Sequence, residues 1–507
     1  MFSLFSFTSV TIVAVALTIR WLVGQFPHSG QGTPPMYGDY EAQRHWMEIT
    51  SHLPVRDWYR NTTDNDLLYW GLDYPPLTAY HMYILGLISR KFNSSWTKLH
   101  ESRGTETHDH KVYMRSTVIL SDLLIYMPAV LYYFYKTRPS NKSPQAGSNE
   151  RSVATYVAFA LFYPGQILID HGHFQYNCVF MGMVVWAVIF MSKGKQATSA
   201  LIFTLALSYK QMSLYYSLPF FWYIASSNIR VKPVWKGIRN IILVSIVVSM
   251  TFGFIFSPFI SDKEIILQVL KRLFPFDRGL FEDKVANFWF CLSIFYKYRK
   301  FSSTEDLLRA STLLTSLLSL PAGLHLLFKP RMRTFKYALV NTALVFFLLS
   351  FQVHEKTILL PALPILLLFR EHPLAVNWFA IMSTFSLQPL LSKDGQMVPY
   401  SVLMIVYTLL SMEIFKWHFT TALSRPVAPN VPLIMCWASI LGCFALNLVA
   451  LFMKPPPHLP DLHPTVNALY SFVHFVGFLF FFYYRQFRES KHNRPTVQVP
   501  SITKKTN

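Results

Sequence analysis

The chain has 507 residues, of which 52% are hydrophobic, 16% aromatic and only 14% charged, with a formal net charge of +20. Soluble domains carry roughly 25% charged residues, so this composition excludes an ordinary soluble enzyme and indicates a polytopic membrane protein. The positive charge does not mark a nucleic-acid binder, because Lys and Arg are gathered in short loops between apolar runs.

The first apolar segment, 2–23, reads as a membrane anchor in preference to a cleaved signal peptide, although Ala14-Val15-Ala16 offers small residues suited to cleavage. Further runs follow at 116–135, 152–169, 176–192, 239–257, 306–328, 335–351, 373–389, 399–415, 431–453 and 464–484. Two shorter ones, near 197–209 and 211–226, are split by Tyr209-Lys210-Gln211 and read as broken or re-entrant helices. A lysine at that depth is costly unless it faces a cavity. Helices are the open-chain elements that satisfy their own backbone in lipid, and a consistent path needs about 14 of them at roughly 20 residues each. The expected fold is therefore all-α and polytopic. One membrane-embedded domain spans 1–484, with sizeable loops at about 24–115 and 258–305 that contain amphipathic helices, and a basic tail fills 485–507.

Charge sets the orientation. Basic residues fill Lys136 to Arg151, Lys193 to Lys195, Arg230 to Arg239, Lys329 to Lys336 and the tail, which the positive-inside rule makes cytosolic. Of the 26 Asp and Glu, 17 fall in 24–115 or 258–306, so those two loops face the lumen. The sequons at Asn61 and Asn93 fit a luminal first loop and are expected to carry glycans, whereas Asn141 lies in a basic loop and is not. Lys504-Lys505-Thr506-Asn507 resembles a di-lysine retrieval signal for the endoplasmic reticulum, which is read in the cytosol. Both termini are expected there. Cys178, Cys291, Cys436 and Cys443 are scattered and give neither a disulfide framework nor metal-ligand spacing.

Four constellations carry candidate chemistry. Gly38-Asp39-Tyr40-Glu41-Ala42-Gln43-Arg44-His45-Trp46-Met47-Glu48 packs three carboxylates beside Arg, His and Trp, with Glu41, Arg44, His45 and Glu48 on one helical face. Asp39 reads either as a helix N-cap or as a general base in a cavity that excludes water. In Trp70-Gly71-Leu72-Asp73-Tyr74-Pro75-Pro76, the prolines fix an extended turn presenting Asp73 between Trp70 and Tyr74, which suits a sugar or an interfacial aromatic belt equally. The stretch 276–289 reads as an amphipathic helix on the luminal interface. Gln352-Val353-His354-Glu355-Lys356 lies between two spans, where His354 and Lys356 suit a phosphate oxygen.

These residues match a family. Gly38 to Thr50, Gly71-Leu72-Asp73-Tyr74-Pro75-Pro76-Leu77-Thr78 and Gln352 to Lys356 closely resemble the dolichyl-phosphate-glucose-dependent alpha-1,3-glucosyltransferases of N-glycan assembly, over nearly the whole chain. The resemblance implies a GT-C-type membrane glycosyltransferase of the endoplasmic reticulum with a luminal active site. Its donor would be dolichyl-phosphate-glucose and its acceptor the Man9GlcNAc2-PP-dolichol lipid-linked oligosaccharide. The product would carry a first alpha-1,3-linked glucose, formed by an inverting single displacement. Ala42-Gln43-Arg44-His45-Trp46 favours that first transfer, with extension of an existing glucose as the alternative.

By resemblance, Asp39 is the general base, His354 sits near the donor phosphate and Asp73 matches a second acidic position counted with the catalytic residues. The substrate-binding set is then Glu41, Arg44, His45, Trp70, Tyr74, Lys210, His354 and Lys356, with no metal and no cofactor. An Asp-Tyr-Glu metal site remains open from the residues alone. The rival from another class is a lipid or solute transporter, for which Lys210 and Asp170 beside His171-Gly172-His173 would mark the path. That rival predicts repeated halves with paired broken helices, and the sequence has no such symmetry.

Overall fold

The computed structural model describes residues 6–136, 146–274, 283–415 and 427–489. Its helices run in chain order as α1 (Phe7–Gly24), α2 (Gly38–His52), α3 (Pro76–Phe92), α4 (His108–Lys136), α5 (Val153–Phe174) and α6 (Asn177–Ser192). Then come α7 (Gln196–Tyr209), α8 (Ser217–Ile229), α9 (Val234–Ile260), α10 (Lys263–Leu273), α11 (Phe288–Phe295) and α12 (Thr304–Phe328). The last third holds α13 (Met332–Leu349), α14 (Leu359–Leu366), α15 (Pro373–Phe385), α16 (Met397–Phe415), α17 (Val431–Phe452) and α18 (Leu462–Arg488).

Eight helices among the described residues are long and apolar enough to cross a membrane: α1, α4, α5, α9, α12, α13, α17 and α18. The shorter apolar helices α6, α15 and α16 cover further expected runs. The break at Lys210 is present. Helix α7 ends there, a 3₁₀ segment covers Gln211–Tyr216, and α8 resumes the path. Lys210 is buried and lines a small polar cavity, so its amine is housed away from lipid. The helix expected across 276–289 differs: 276–282 lie outside the described residues, 283–287 are non-helical, and α11 starts only at Phe288 with the Asn287 side chain as its cap. The amphipathic element nearby is α10, capped by Asp262, with Ile265, Val269 and Leu273 buried along one face.

Apolar surface is distributed as a bilayer demands. Helix α9 presents Ile242, Leu243, Ile246, Met250 and Phe254 outward, while α13 is enclosed by α12, α14 and α18. The charge buried near the end of α1 is paired, as a low-dielectric interior favours. Arg20 lies within the anchor and is fully buried near the end of α1. Its Nε donates to Asp122 Oδ2 at 2.5 Å, and its other nitrogens donate to Leu161 O and to Gln166 Oε1, both at 2.9 Å. Asp122 also meets His171 Nε2 at 3.0 Å. The two helices that meet here both widen into π-turns, at Asp122–Tyr126 and Leu168–Phe174. Such bulges re-aim side chains, and the second one turns His173 and the following Gln175 toward the first loop.

Candidate active site

The first loop enters α2 through a backbone that only glycine accommodates. Gly38 has φ +70°, and a Cβ there would stand 2.6 Å from the carbonyl carbon of Ser29. Tyr37 is the N-cap residue, with left-handed φ of 57° and no capping side chain. Asp39 is thus the second residue of the helix and not its cap. Its carboxylate is released from local capping and reaches across to three residues on two other segments.

Asp39 Oδ2 accepts from His173 Nε2 at 3.0 Å, from Gln175 Nε2 at 2.6 Å and from Lys356 Nζ at 2.5 Å. Asp39 Oδ1 has no hydrogen-bond partner among the described residues, and the side chain keeps 21% of its surface exposed. One oxygen is anchored and the other is open. Burial works against ionisation of this carboxyl, but the Lys356 ammonium and His173 outweigh it and hold Asp39 well below the usual carboxylate range. Burial likewise opposes the charge on Lys356, and Asp39 more than restores it, so the amine is held above its ordinary value.

Each partner of Asp39 is itself held. His173 Nδ1 lies 2.5 Å from Asp394 Oδ2, at the end of a short helix, Gln388–Lys393. Gly172 makes that approach possible, since a Cβ on it would stand 2.7 Å from Gln396 Oε1. Gln175 Oε1 accepts from Asn177 Nδ2 at 3.0 Å and from Lys210 Nζ at 3.2 Å, and Lys210 also donates to Asn177 Oδ1 at 2.6 Å. Asp170 closes the chain, accepting from the Asn177 side chain at 2.8 Å and from the backbone of Cys178 at 2.7 Å. Among the buried polar groups of the interior, one hydrogen-bonded path therefore leads from the base of α6 to Asp39.

The other acidic residues of α2 point elsewhere. Arg44 is fully buried and donates to Glu41 through Nε at 2.7 Å and Nη2 at 2.6 Å. Nη2 also lies 2.7 Å from Glu48, and Nη1 donates to Ser102 Oγ at 2.5 Å. Tyr69 donates to Glu41 at 2.7 Å, and His45 lies 3.3 Å from Glu48. Glu41, Arg44, His45 and Glu48 form a closed network that ties α2 to the rest of the loop, and this arrangement does not bring Glu41, Arg44 or His45 to the open face of Asp39. Glu41 is fully engaged by a guanidinium and a phenol, which also removes it as a partner of Asp39 in a metal site.

The second constellation borders the same space. The face of Tyr74 lies 4.8 Å from Lys210 Nζ, and both line the small polar cavity with Gln43, Thr78, Tyr176 and Tyr209. Asp73 is half-buried and its backbone carbonyl accepts from Gln211 at 3.0 Å. Trp70 braces the turn, donating to Met36 O and accepting from Trp46 Nε1 at 2.8 Å. His354 caps the one-turn helix Glu355–Ile358 two residues before Lys356 and is half-buried. Asn61 and Asn93 lie on exposed turns. Beside Pro75 and Gln211 opens a cavity of about 420 Å³, lined otherwise by apolar side chains such as Leu207, Leu214, Phe252, Phe256 and Ile266. Two of its lining residues, Pro75 and Gln211, directly follow Tyr74 and Lys210 in the chain.

Sequence reasoning found Asp39, Lys210 and Lys356 but not what joins them. Gln175 and Asn177 carried no signal. His173 stood out beside Asp170 and His171 as part of a transport path and not as a partner of Asp39, and Asp394 sits in an unremarkable turn, Lys393-Asp394-Gly395.

Residues 16–481 match the ALG6, ALG8 glycosyltransferase family. The chain belongs to that family. Similar proteins include one from Gallus gallus named dolichyl pyrophosphate Man9GlcNAc2 alpha-1,3-glucosyltransferase, 42% identical over 511 residues, covering 97% of this chain and 99% of the relative. The protein of the same name from Mus musculus is 41% identical over 505 residues, covering 96% and 98%. One from Dictyostelium discoideum, named a probable enzyme of that kind, is 42% identical over 489 residues, covering 92% of each. As a member of the ALG6, ALG8 family this chain is a membrane glycosyltransferase, and the transporter alternative is set aside.

Proposed function

We propose that the protein transfers glucose from dolichyl-phosphate-glucose to Man9GlcNAc2-PP-dolichol in the lumen of the endoplasmic reticulum, forming the first alpha-1,3-linked glucose by inverting displacement. The observation that carries the mechanism is the asymmetry of Asp39, with Oδ2 fixed by three donors and Oδ1 open. A carboxylate so held is preorganised to take a proton from an acceptor hydroxyl.

In this reading the acceptor oxygen attacks the anomeric carbon as its proton passes to Asp39 Oδ1. The glycosidic bond to the phosphate breaks, and its electron pair leaves with dolichyl phosphate. Asp39 loses one negative charge while the phosphate gains one. Lys356 stands at 2.5 Å from the first of these groups, on the same short segment as His354, so it is suited to follow the charge from carboxylate to leaving group. The apolar cavity fits the donor's polyprenyl chain. Its lining residues Pro75 and Gln211 are chain neighbours of Tyr74 and Lys210, an aromatic face and a cation suited to a glucosyl phosphate.

The test is glucose transfer by purified protein in detergent with both lipid substrates, with and without chelator. Chelator-resistant transfer that falls by a factor of about 10² or more in Asp39→Asn is expected. Transfer only to an acceptor already bearing one glucose would refute the acceptor assignment, and chelator-sensitive transfer would refute the metal-free mechanism.

A further inference from the structure

Asp394 has no place in the displacement just described, yet it is buried and lies 2.5 Å from the imidazole that touches Asp39. Three groups converge on one oxygen of Asp39, and they differ in mobility. Lys356 is a long side chain whose Nζ also lies 3.1 Å from His173 Nε2, where an ammonium and an imidazolium repel each other and bond only to the Asp39 oxygen between them. His173 is pinned on both nitrogens. Two carboxylates flank its ring, at 2.5 Å and 3.0 Å, and each accepts only if the ring nitrogen facing it carries a proton. With His173 as an imidazolium the buried group of Asp39, Asp394, Lys356 and His173 is neutral overall, which a desolvated cluster requires. Other charges facing it include Glu355 beside Lys356, Lys210, which reaches Asp39 through Gln175, and Arg115, which donates to Gly172 O at 2.8 Å.

Resting on the assignment of Asp39 as the base, we propose that Asp394 and His173 form a fixed clamp whose imidazolium faces Asp39. It keeps Asp39 ionised, with Oδ1 turned to the acceptor, once Lys356 has moved to the donor phosphate. Lys356 is the travelling counter-charge and His173 the stationary one. Asp394 is then a positioning residue: it touches no substrate and acts by holding both protons on the imidazole. Without it, departure of Lys356 leaves Asp39 with no opposite charge in contact, and the carboxylate becomes harder to keep ionised in the substrate complex.

The experiment is the pH dependence of kcat for wild type, Asp394→Asn, His173→Gln and Asp394→Glu, in the full chain with both lipid substrates. Elution volume and melting midpoint serve as checks of folding. Asp394→Asn is expected to lower kcat at neutral pH by about tenfold or more while both KM values stay within about threefold. Its acid limb should move toward neutrality by about one pH unit or more, because an opposite charge no longer favours ionisation of Asp39. His173→Gln, which retains an N–H donor but no charge, should show the same displaced limb, and Asp394→Glu should recover part of the loss. An acid limb left in place in both neutral variants, or a fall in rate uniform with pH and matched by lost thermal stability, overturns the proposal. Failure of the underlying assignment looks different: Asp39→Asn would go on transferring glucose, and the clamp would fall with it.

Discussion

Replacing Arg44 by Gln separates two roles for that side chain. Its three nitrogens serve two buried carboxylates and Ser102, and both Glu41 and Glu48 are only 1% exposed. Glu48 is held below the usual carboxylate range against its own burial by His45 and Arg44 together. Removing the guanidinium strands two anions in the interior, and breaking a buried pair in this way typically costs 3–5 kcal/mol. An unfolding entropy of about 2.1 cal/mol/K per residue, over a chain of this length, converts that loss to a fall of roughly 3–5 °C in the melting midpoint. The assay is fluorescence-detected melting in detergent, alongside KM for the donor at a temperature where the variant remains folded. A lowered midpoint with an unchanged donor KM is expected. An unchanged midpoint with a raised donor KM would refute the closed-network reading and return Arg44 to the phosphate.

Lys356→Met should raise donor KM and move the acid limb of kcat/KM upward by about 1–3 pH units, since the ammonium that pulls Asp39 down is gone; pH profiles of the pair decide it. In wild type the same carboxyl is held below its unfolded value of 3.8, so its stabilising effect is full above that value and is lost only as pH falls through the lower folded one. The acid limb of kcat/KM should accordingly lie below the ordinary carboxylate range. Gly38→Ala forces a left-handed alanine, at a cost of about 1–2 kcal/mol, and drives its Cβ into the Ser29 backbone. Transfer should fall by more than the melting midpoint suggests, because Asp39 is displaced from the reacting atoms. Asp122→Asn leaves the Arg20 guanidinium short of a counter-charge in the core, and melting should show a loss of the same size as in Arg44→Gln. Asn61→Gln and Asn93→Gln should each remove one glycosidase-sensitive mobility shift if the first loop is luminal, and an unchanged band would refute that orientation.

The apolar runs made the helices legible, including the break at Lys210, because length and hydropathy are local properties. The cluster on α2 was legible too, since spacing of three and four places Glu41, Arg44 and Glu48 on one face. What spacing does not reveal is that these groups satisfy one another, leaving Asp39 as the outward-reaching carboxylate. The N-cap reading of Asp39 failed on a backbone feature, the left-handed Tyr37 and Gly38 that start the helix one residue before it. Asp170 and His171 read in the sequence as markers of a transport path. They are instead enclosed by a π-turn that packs against the π-turn of α4, an arrangement created only by tertiary contact. Asp394 and Gln175 left no trace because their partners lie on separate helices, and no periodicity links them.

The separation of these partners along the chain has a consequence for biosynthesis. Asp39 meets a lysine 317 positions later, and the histidine beside it meets an aspartate 221 positions further on. A nascent chain that has inserted its first several helices holds Asp39 but neither the lysine nor the aspartate that complete its surroundings. The Asp39 cluster is therefore assembled only after the turn at Asp394 has been made and docked against Gly172.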